Sequence, residues 1–189
     1  VAPPIDPTVP TDVFTATEFL YTGADPIQRG VAEGTIERRR VAVLRGQVSD
    51  RAGDPIPGVR ITILGHPELG ETGTRTDGMF DIAVNGGGNL VVQYDKAGYL
   101  PVQRRIDTPW RDYAWLPDVV MIPLDEQVTT IDLADSTTTQ VAQGSEVTDA
   151  SGTRQATVLF PAGTRAEMVL PDGTTQPLTE LDVRATEYT

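Results

Sequence analysis

The sequence predicts an all-β protein: a β-sandwich, a smaller β unit after it, and an extended N-terminal arm before it. Three observations carry that expectation. Seven or so short segments between Val41 and Leu124 alternate apolar and polar residues at close spacing, the period of strands with one face in a core. The 189 residues include 18 glycines and 15 prolines, a turn-rich composition that stays below low complexity. No stretch presents a convincing stripe at helical spacing.

The elements follow in chain order. The opening VAPPIDPTVPTD carries Pro3, Pro4, Pro7 and Pro10, which forbid regular ladder pairing and favour an extended tether. In DVFTATEFLY, Val13, Thr15, Thr17, Phe19 and Tyr21 alternate with Phe14, Ala16, Glu18 and Leu20, so a strand or apolar arm is expected over 12–21. Irregular chain follows to Arg40, broken by Gly23, Pro26, Gly30 and Gly34. Residues 1–40 therefore read as leader and arm.

From Val41 the pattern sharpens. VAVLRGQVSD is a strand, the turn Asp50–Pro55 follows, and Val59, Ile61 and Ile63 form the apolar face of the next strand. ETGTRT is expected to pair with MFDIAV through Asp77-Gly78, a dipeptide suited to a type I′ hairpin because both central positions need positive φ. Asn85-Gly86-Gly87-Gly88 turns the chain into NLVVQYDKAGY, PVQRRID follows, and LPDVVMIPL closes a sandwich expected over 41–125. The polar run from Asp125 to Gln155 reads as a crossover or domain boundary. ATVLF, RAEMVL and the strands around Pro171-Asp172-Gly173 make three or four strands of a small β unit within 126–189. Strands so few bury little apolar surface, so this unit is expected to be plug-like, leaning on the sandwich or continuing beyond Thr189.

Charge and composition narrow the function. With 27 acidic against 15 basic residues, a net charge of -12 and a pI near 4.4, the chain disfavours phosphate backbones, and no nucleic-acid partner is expected. The absence of cysteine removes disulfides, thiolate nucleophiles and cysteine-ligated metals. No run reaches the roughly 20 apolar residues of a bilayer span, so no membrane span is expected. The start Val1-Ala2-Pro3-Pro4 is that of a processed or excised segment, in keeping with export.

Nothing in the sequence assembles a catalytic or cofactor site. His66, the one histidine, sits in the turn GHPELG with no nucleophile elbow nearby. Lys96, the one lysine, lies close in sequence to Asn85 and Asn89, so an amide crosslink there would bridge almost nothing. Asp125, Asp132 and Asp135, with Glu126, are weak Ca²⁺ candidates in spacing unlike an EF-hand loop, and a solvated acidic connector is the favoured reading. Gly86-Gly87-Gly88 lacks the Lys-Ser/Thr of a phosphate cradle. Among the aromatics, Tyr94 shares a face with Leu90 and Val92 and belongs to the core. Trp110 and Trp115 flank a loop and, with Phe14, Phe19 and Tyr21 of the arm, are the candidates for an interaction surface; a glycan contact on exposed rings stays open.

Gly46-Gln47-Val48-Ser49-Asp50, Pro55-Ile56-Pro57-Gly58-Val59, Thr76-Asp77-Gly78-Met79-Phe80 and Lys96-Ala97-Gly98-Tyr99 resemble the carboxypeptidase regulatory-like, or transthyretin-like, domain. That resemblance implies a seven-stranded, prealbumin-like sandwich serving as an accessory module without catalysis. Phe19-Leu20-Tyr21-Thr22-Gly23, Asp25-Pro26-Ile27-Gln28, Gly65-His66-Pro67-Glu68, Val84-Asn85-Gly86-Gly87-Gly88 and Pro109-Trp110 further resemble the region preceding the YD repeats of bacterial Rhs and teneurin-like proteins. The resemblance implies a non-enzymatic plug of an exported, bacterial surface or secreted protein. Its partner would be the rest of a larger polypeptide. YD repeats and a toxin tip are absent from these residues, so shell formation and toxicity do not carry over. A fibre subunit pairing through the arm with identical subunits, and an adhesive module binding glycan or Ca²⁺, are the other classes considered.

Overall fold

The computed structural model describes residue 8 and residues 11–134 and 137–188; the proline-rich leader up to Pro10, save Thr8, lies outside them, as does Asp135. The chain divides into two compact units, Val1–Ile122 and Pro123–Thr189.

The first unit begins with a one-turn helix, α1 (Val13–Thr17), continued by a 3-10 turn over Glu18–Leu20. The strand expected over 12–21 is therefore corrected to a helical turn. Val13, Phe14, Thr17, Leu20 and Tyr21 share one helical face, whereas a strand would split them between two apolar faces, so the pattern admits either. Asp12 decides between them: its Oδ1 accepts from the Thr15 N–H at 2.8 Å, capping the first turn.

Two sheets follow. The first joins β4 (Met79–Asn85), β1 (Val41–Ser49) and β7 (Tyr113–Trp115), with β8 (Val119–Val120) continuing along β1 after β7. The second runs β3 (Glu71–Gly73), β2 (Arg60–Ile63), β5 (Gly88–Asp95), β6 (Val102–Thr108). The alternation read from sequence sorts the faces: Leu44, Phe80 and Ile82 from one sheet and Ile61, Val92 and Tyr94 from the other are fully buried. The Phe80 and Tyr94 rings meet edge to face, 5.7 Å between centroids, a geometry favoured by their quadrupoles. Burial pushes the Tyr94 hydroxyl well above its ordinary pKa, and among the described residues that hydroxyl has no hydrogen-bond partner.

The Asp77-Gly78 turn departs from expectation. β3 pairs with β2 and β4 with β1, so the turn carries the chain from one sheet to the other instead of closing a hairpin within one. Gly78 alone takes positive φ, at 73°, and its N–H donates to the Arg75 carbonyl while the Arg75 N–H donates to that of Met79. This is a three-residue turn ending in a left-handed glycine, the alternative to type I′. A Cβ on Gly78 would strike the Val48 carbonyl and lie 3.0 Å from Cβ of Pro55.

The arm seals one side of this sandwich. Gln28 is fully buried; its Nε2 donates to the carbonyls of Leu69 (2.7 Å) and Ala83 (2.9 Å), and its Oε1 accepts from the Ala83 N–H at 2.7 Å. One amide thereby satisfies both outward backbone groups of Ala83, midway along the outer edge of β4. Arg29 does the same for β3, exchanging two 2.8 Å backbone hydrogen bonds with Glu71. Covering strand edges in this way removes a template for aggregation.

The second unit consists, among the described residues, of paired short strands: β9 (Thr129–Asp132) with β16 (Glu180–Val183), β10 (Gln140–Gln143) with β13 (Thr157–Phe160), β11 (Val147–Asp149) with β12 (Gly152–Arg154), and β14 (Ala166–Val169) with β15 (Thr175–Leu178). The run expected as a polar connector thus contributes β9 to β12. These strands carry no clear alternation because they bury so little: Ile131, Leu133 and Ala142 are this unit's buried apolar core.

Candidate interaction surface

The side of the first unit opposite the sealed edge is built differently. β7 runs parallel to β1, with Val43 beside Tyr113, Leu44 beside Ala114 and Arg45 beside Trp115. Alternation then puts Ala114 against the core with Leu44 and leaves Tyr113, Trp115 and Arg45 on the outer face. β8 continues the line, with Val119 inward and Val120 outward. Among the described residues, β7 and β8 have strand partners only on their β1 side.

Arg45 organises this face. Its guanidinium carbon lies 5.1 Å from the Tyr113 ring centroid and 5.6 Å from that of Trp115, and its Nε donates to Asp81 Oδ1 at 2.6 Å. Arg75 donates from Nη1 to the other Asp81 oxygen at 2.9 Å. Asp81, largely buried, is thus shared by two arginines, while the Arg45 plane rests against two rings. The rings are held yet open to solvent: Tyr113 is 40% exposed, Trp115 64% and Val120 42%. A row of exposed apolar side chains along an unpaired strand edge can add a strand or pack against an apolar neighbour.

The five aromatics singled out from sequence separate into two groups. Phe14, Phe19 and Tyr21 are partly buried against the sandwich core. Phe14 and Tyr21 meet edge to face at 6.5 Å, and desolvation, with a smaller contribution from Glu18, pushes the Tyr21 hydroxyl up to about 12. Trp110 and Trp115 are exposed. Trp110 is held by backbone: a Cβ on Gly87 (φ 91°) would collide with its indole. Arg45, Arg75 and Asp81 were not singled out; the arginine within the apolar run VAVLRGQV was the available signal.

The remaining candidates have structural partners. Asp125 accepts from the N–H groups of Gln127 and Ser145 and from the Ser145 hydroxyl, and these bonds hold its carboxyl below its ordinary range. Asp132 accepts from the Ala134 N–H. Among the described residues no group of three His, Cys, Asp or Glu side chains could hold a metal ion. His66 pairs with Glu68 at 2.9 Å on the surface, and Lys96 donates to the Pro57 carbonyl. No helix among the described residues is long and apolar enough to cross a membrane.

With this geometry in place, the match to known proteins is specific. Residues 36–121 match the teneurin TTR-like domain. The matched span runs from Ile36 through β8 and so takes in both sheets of the sandwich. Teneurin-3 of Danio rerio is 30% identical over 131 residues, covering 69% of this chain and 5% of that protein. Teneurin-1 of Homo sapiens is 35% identical over 89 residues, 47% of this chain and 3% of that one. Teneurin-m of Drosophila melanogaster is 33% identical over 121 residues, 64% of this chain and 4% of its own length. The chain therefore spans only a few per cent of these relatives. A streptococcal ancillary pilin covers 83% of the chain at 10% identity with a TM-score of 0.40, too loose a likeness to carry an argument.

Proposed function

We propose that this chain is a non-enzymatic structural module of a longer, exported polypeptide, a β-sandwich plug docked against the rest of that polypeptide through the β7–β8 edge. The observation that carries this reading is the asymmetry of the TTR-like sandwich. Gln28 and Arg29 close the β4 and β3 edges, whereas the β7–β8 edge presents Tyr113, Trp115 and Val120. Aromatic side chains held by packing offer contact area at little entropic cost. The teneurin relatives, in which the matching segment is a few per cent of the length, support a role as part of a larger assembly at the cell surface. The resemblance to the region before Rhs YD repeats adds the finer reading, a bacterial surface or secreted protein whose YD-repeat shell this module plugs.

The fibre reading assigns the arm to a neighbouring molecule. α1 instead packs on the β1 side of its own sandwich, with Leu20 in the core, and a helical turn has no free ladder to donate. Deleting residues 1–21 tests the two: the plug reading expects a less stable chain that remains monomeric. Fibres formed by the intact chain and abolished by the deletion would replace it. The parent gene product provides the second check, and a parent without YD repeats would remove the shell from the proposal.

A further inference from the structure

A groove of about 500 Å³ lies between the helical arm and the turn after β6, lined by Val13, Phe14, Arg38, Arg39, Trp110 and Arg111, among others. That volume is within the range of ligand sites, roughly 300–1,000 Å³. Three features set it apart. Trp110 is 61% exposed, and its indole is seated against the backbone at Gly87, so it forms a fixed apolar wall. Arg111 is the one non-glycine residue among those described with positive φ, 51°, a conformation that costs an arginine energy and marks a held geometry. Arg38 is already committed, paired with Asp12 at 3.0 Å, donating to Thr15 and lying 5.1 Å from the Phe14 ring centroid; Arg39 and Arg111 are exposed and show no ion pair with described residues.

On a chain of net charge -12, this cluster is a local inversion of sign. Its guanidinium groups are donors without acceptor capacity, and the Asp12 carboxylate is taken by Arg38 and the Thr15 N–H. Such a site rewards an acceptor-rich ligand with a flat apolar face. A peptide strand would leave its own N–H groups unmet here, whereas a carboxylated sugar supplies a carboxylate, ring and hydroxyl oxygens, and a C–H face for an indole. We propose that this groove binds a uronate-class saccharide, its carboxylate held by Arg39 and Arg111 and its ring stacked on Trp110. Trp110 and Arg111 lead directly into β7, but the proposal draws on none of Tyr113, Trp115 and Val120 and does not depend on the plug reading.

Trp110 and Trp115 are the two tryptophans of the chain, so Trp115→Phe leaves Trp110 as sole indole reporter. Titrating this full-length variant with a galacturonate tetrasaccharide should give a saturable change in Trp110 fluorescence, weakened by raising salt from about 50 to about 500 mM as screening shortens. Adding Arg39→Gln and Arg111→Gly, the latter compatible with the positive φ, should weaken binding at least about tenfold, roughly 1.4 kcal/mol, with the circular-dichroism melt unchanged. Maltotetraose should give no response. No fluorescence change with the galacturonate would overturn the proposal. So would an equal response to maltotetraose, an unchanged affinity in the double-arginine variant, or equally tight binding of tetraglutamate, which would make the groove a general anion or peptide surface.

Discussion

Replacing Gln28 by leucine tests whether one buried amide holds the sealed side of the sandwich together. The substitution keeps the side chain's approximate volume and removes three hydrogen bonds, two donated to the Leu69 and Ala83 carbonyls and one accepted from the Ala83 N–H. At about 1 kcal/mol net for each, with an added penalty for buried backbone groups left unmet, the loss is about 3–5 kcal/mol. Burial of the new methyl groups returns about 1 kcal/mol, so the expected destabilisation is about 2–4 kcal/mol. Urea unfolding followed by tryptophan fluorescence is a clean assay, because Trp110 and Trp115 both belong to the first unit and report on it alone. The midpoint should fall with the slope unchanged. Gln28→Glu adds a diagnostic: ionised it cannot donate, but protonated it can, so part of the lost stability should return under acid conditions. A Gln28→Leu chain destabilised by less than about 1 kcal/mol would refute the reasoning and reduce Gln28 to a bystander.

Three further outcomes follow from the same geometry. Gly78→Val forces a β-branched residue to positive φ and drives its Cβ into the Val48 carbonyl, so it should cost at least about 2 kcal/mol in the same urea assay; an unmoved midpoint would contradict the turn. Tyr94→Phe removes a buried hydroxyl that has no partner among the described residues while keeping the ring against Phe80, and should leave stability unchanged or raise it by about 1 kcal/mol; a clear loss would mean the hydroxyl is satisfied. Because Tyr21 titrates at about 12 in the folded chain, against roughly 10 unfolded, its contribution is complete below pH of about 10 and is lost as pH rises toward 12. Tyrosinate absorbance should show Tyr21 ionising above that ordinary value, and Tyr21→Phe should flatten the alkaline loss of stability.

The sandwich was legible in the sequence because its strands are long enough to alternate: Val59, Ile61 and Ile63, or Phe80, Ile82 and Val84, have one face in a core and show it. Where two periods fit the same residues, alternation misled. The apolar positions of DVFTATEFLY serve a strand or a helical turn equally, and the Asp12 cap that settles the matter is a single local hydrogen bond. Asp77-Gly78 announced a turn correctly, but which strands it joins depends on the pairings of β4 with β1 and of β3 with β2, which lie outside the turn itself. The second unit was hard to read because strands such as Val147–Asp149 and Gly152–Arg154 bury almost nothing. As for the surface, Trp110 and Trp115 stood out as rings beside a loop, whereas the clamp around Arg45 was invisible: it exists because β7 lies parallel to β1 in one particular register, and neither strand encodes that alone.

Hydrogen exchange at the backbone amides of Tyr113–Trp115 and Val119–Val120, compared between this 189-residue chain and the intact parent polypeptide, tests the docking claim most directly. Amides on an unpaired edge open locally at little cost, while docked ones exchange only through larger openings. The plug account predicts that those facing outward from the edge exchange at least about a hundredfold more slowly in the parent, with protection at the Gln28-sealed β4 edge unchanged. Equal exchange at the β7–β8 edge in both molecules would leave Tyr113, Trp115 and Val120 facing solvent in the parent and would contradict the account.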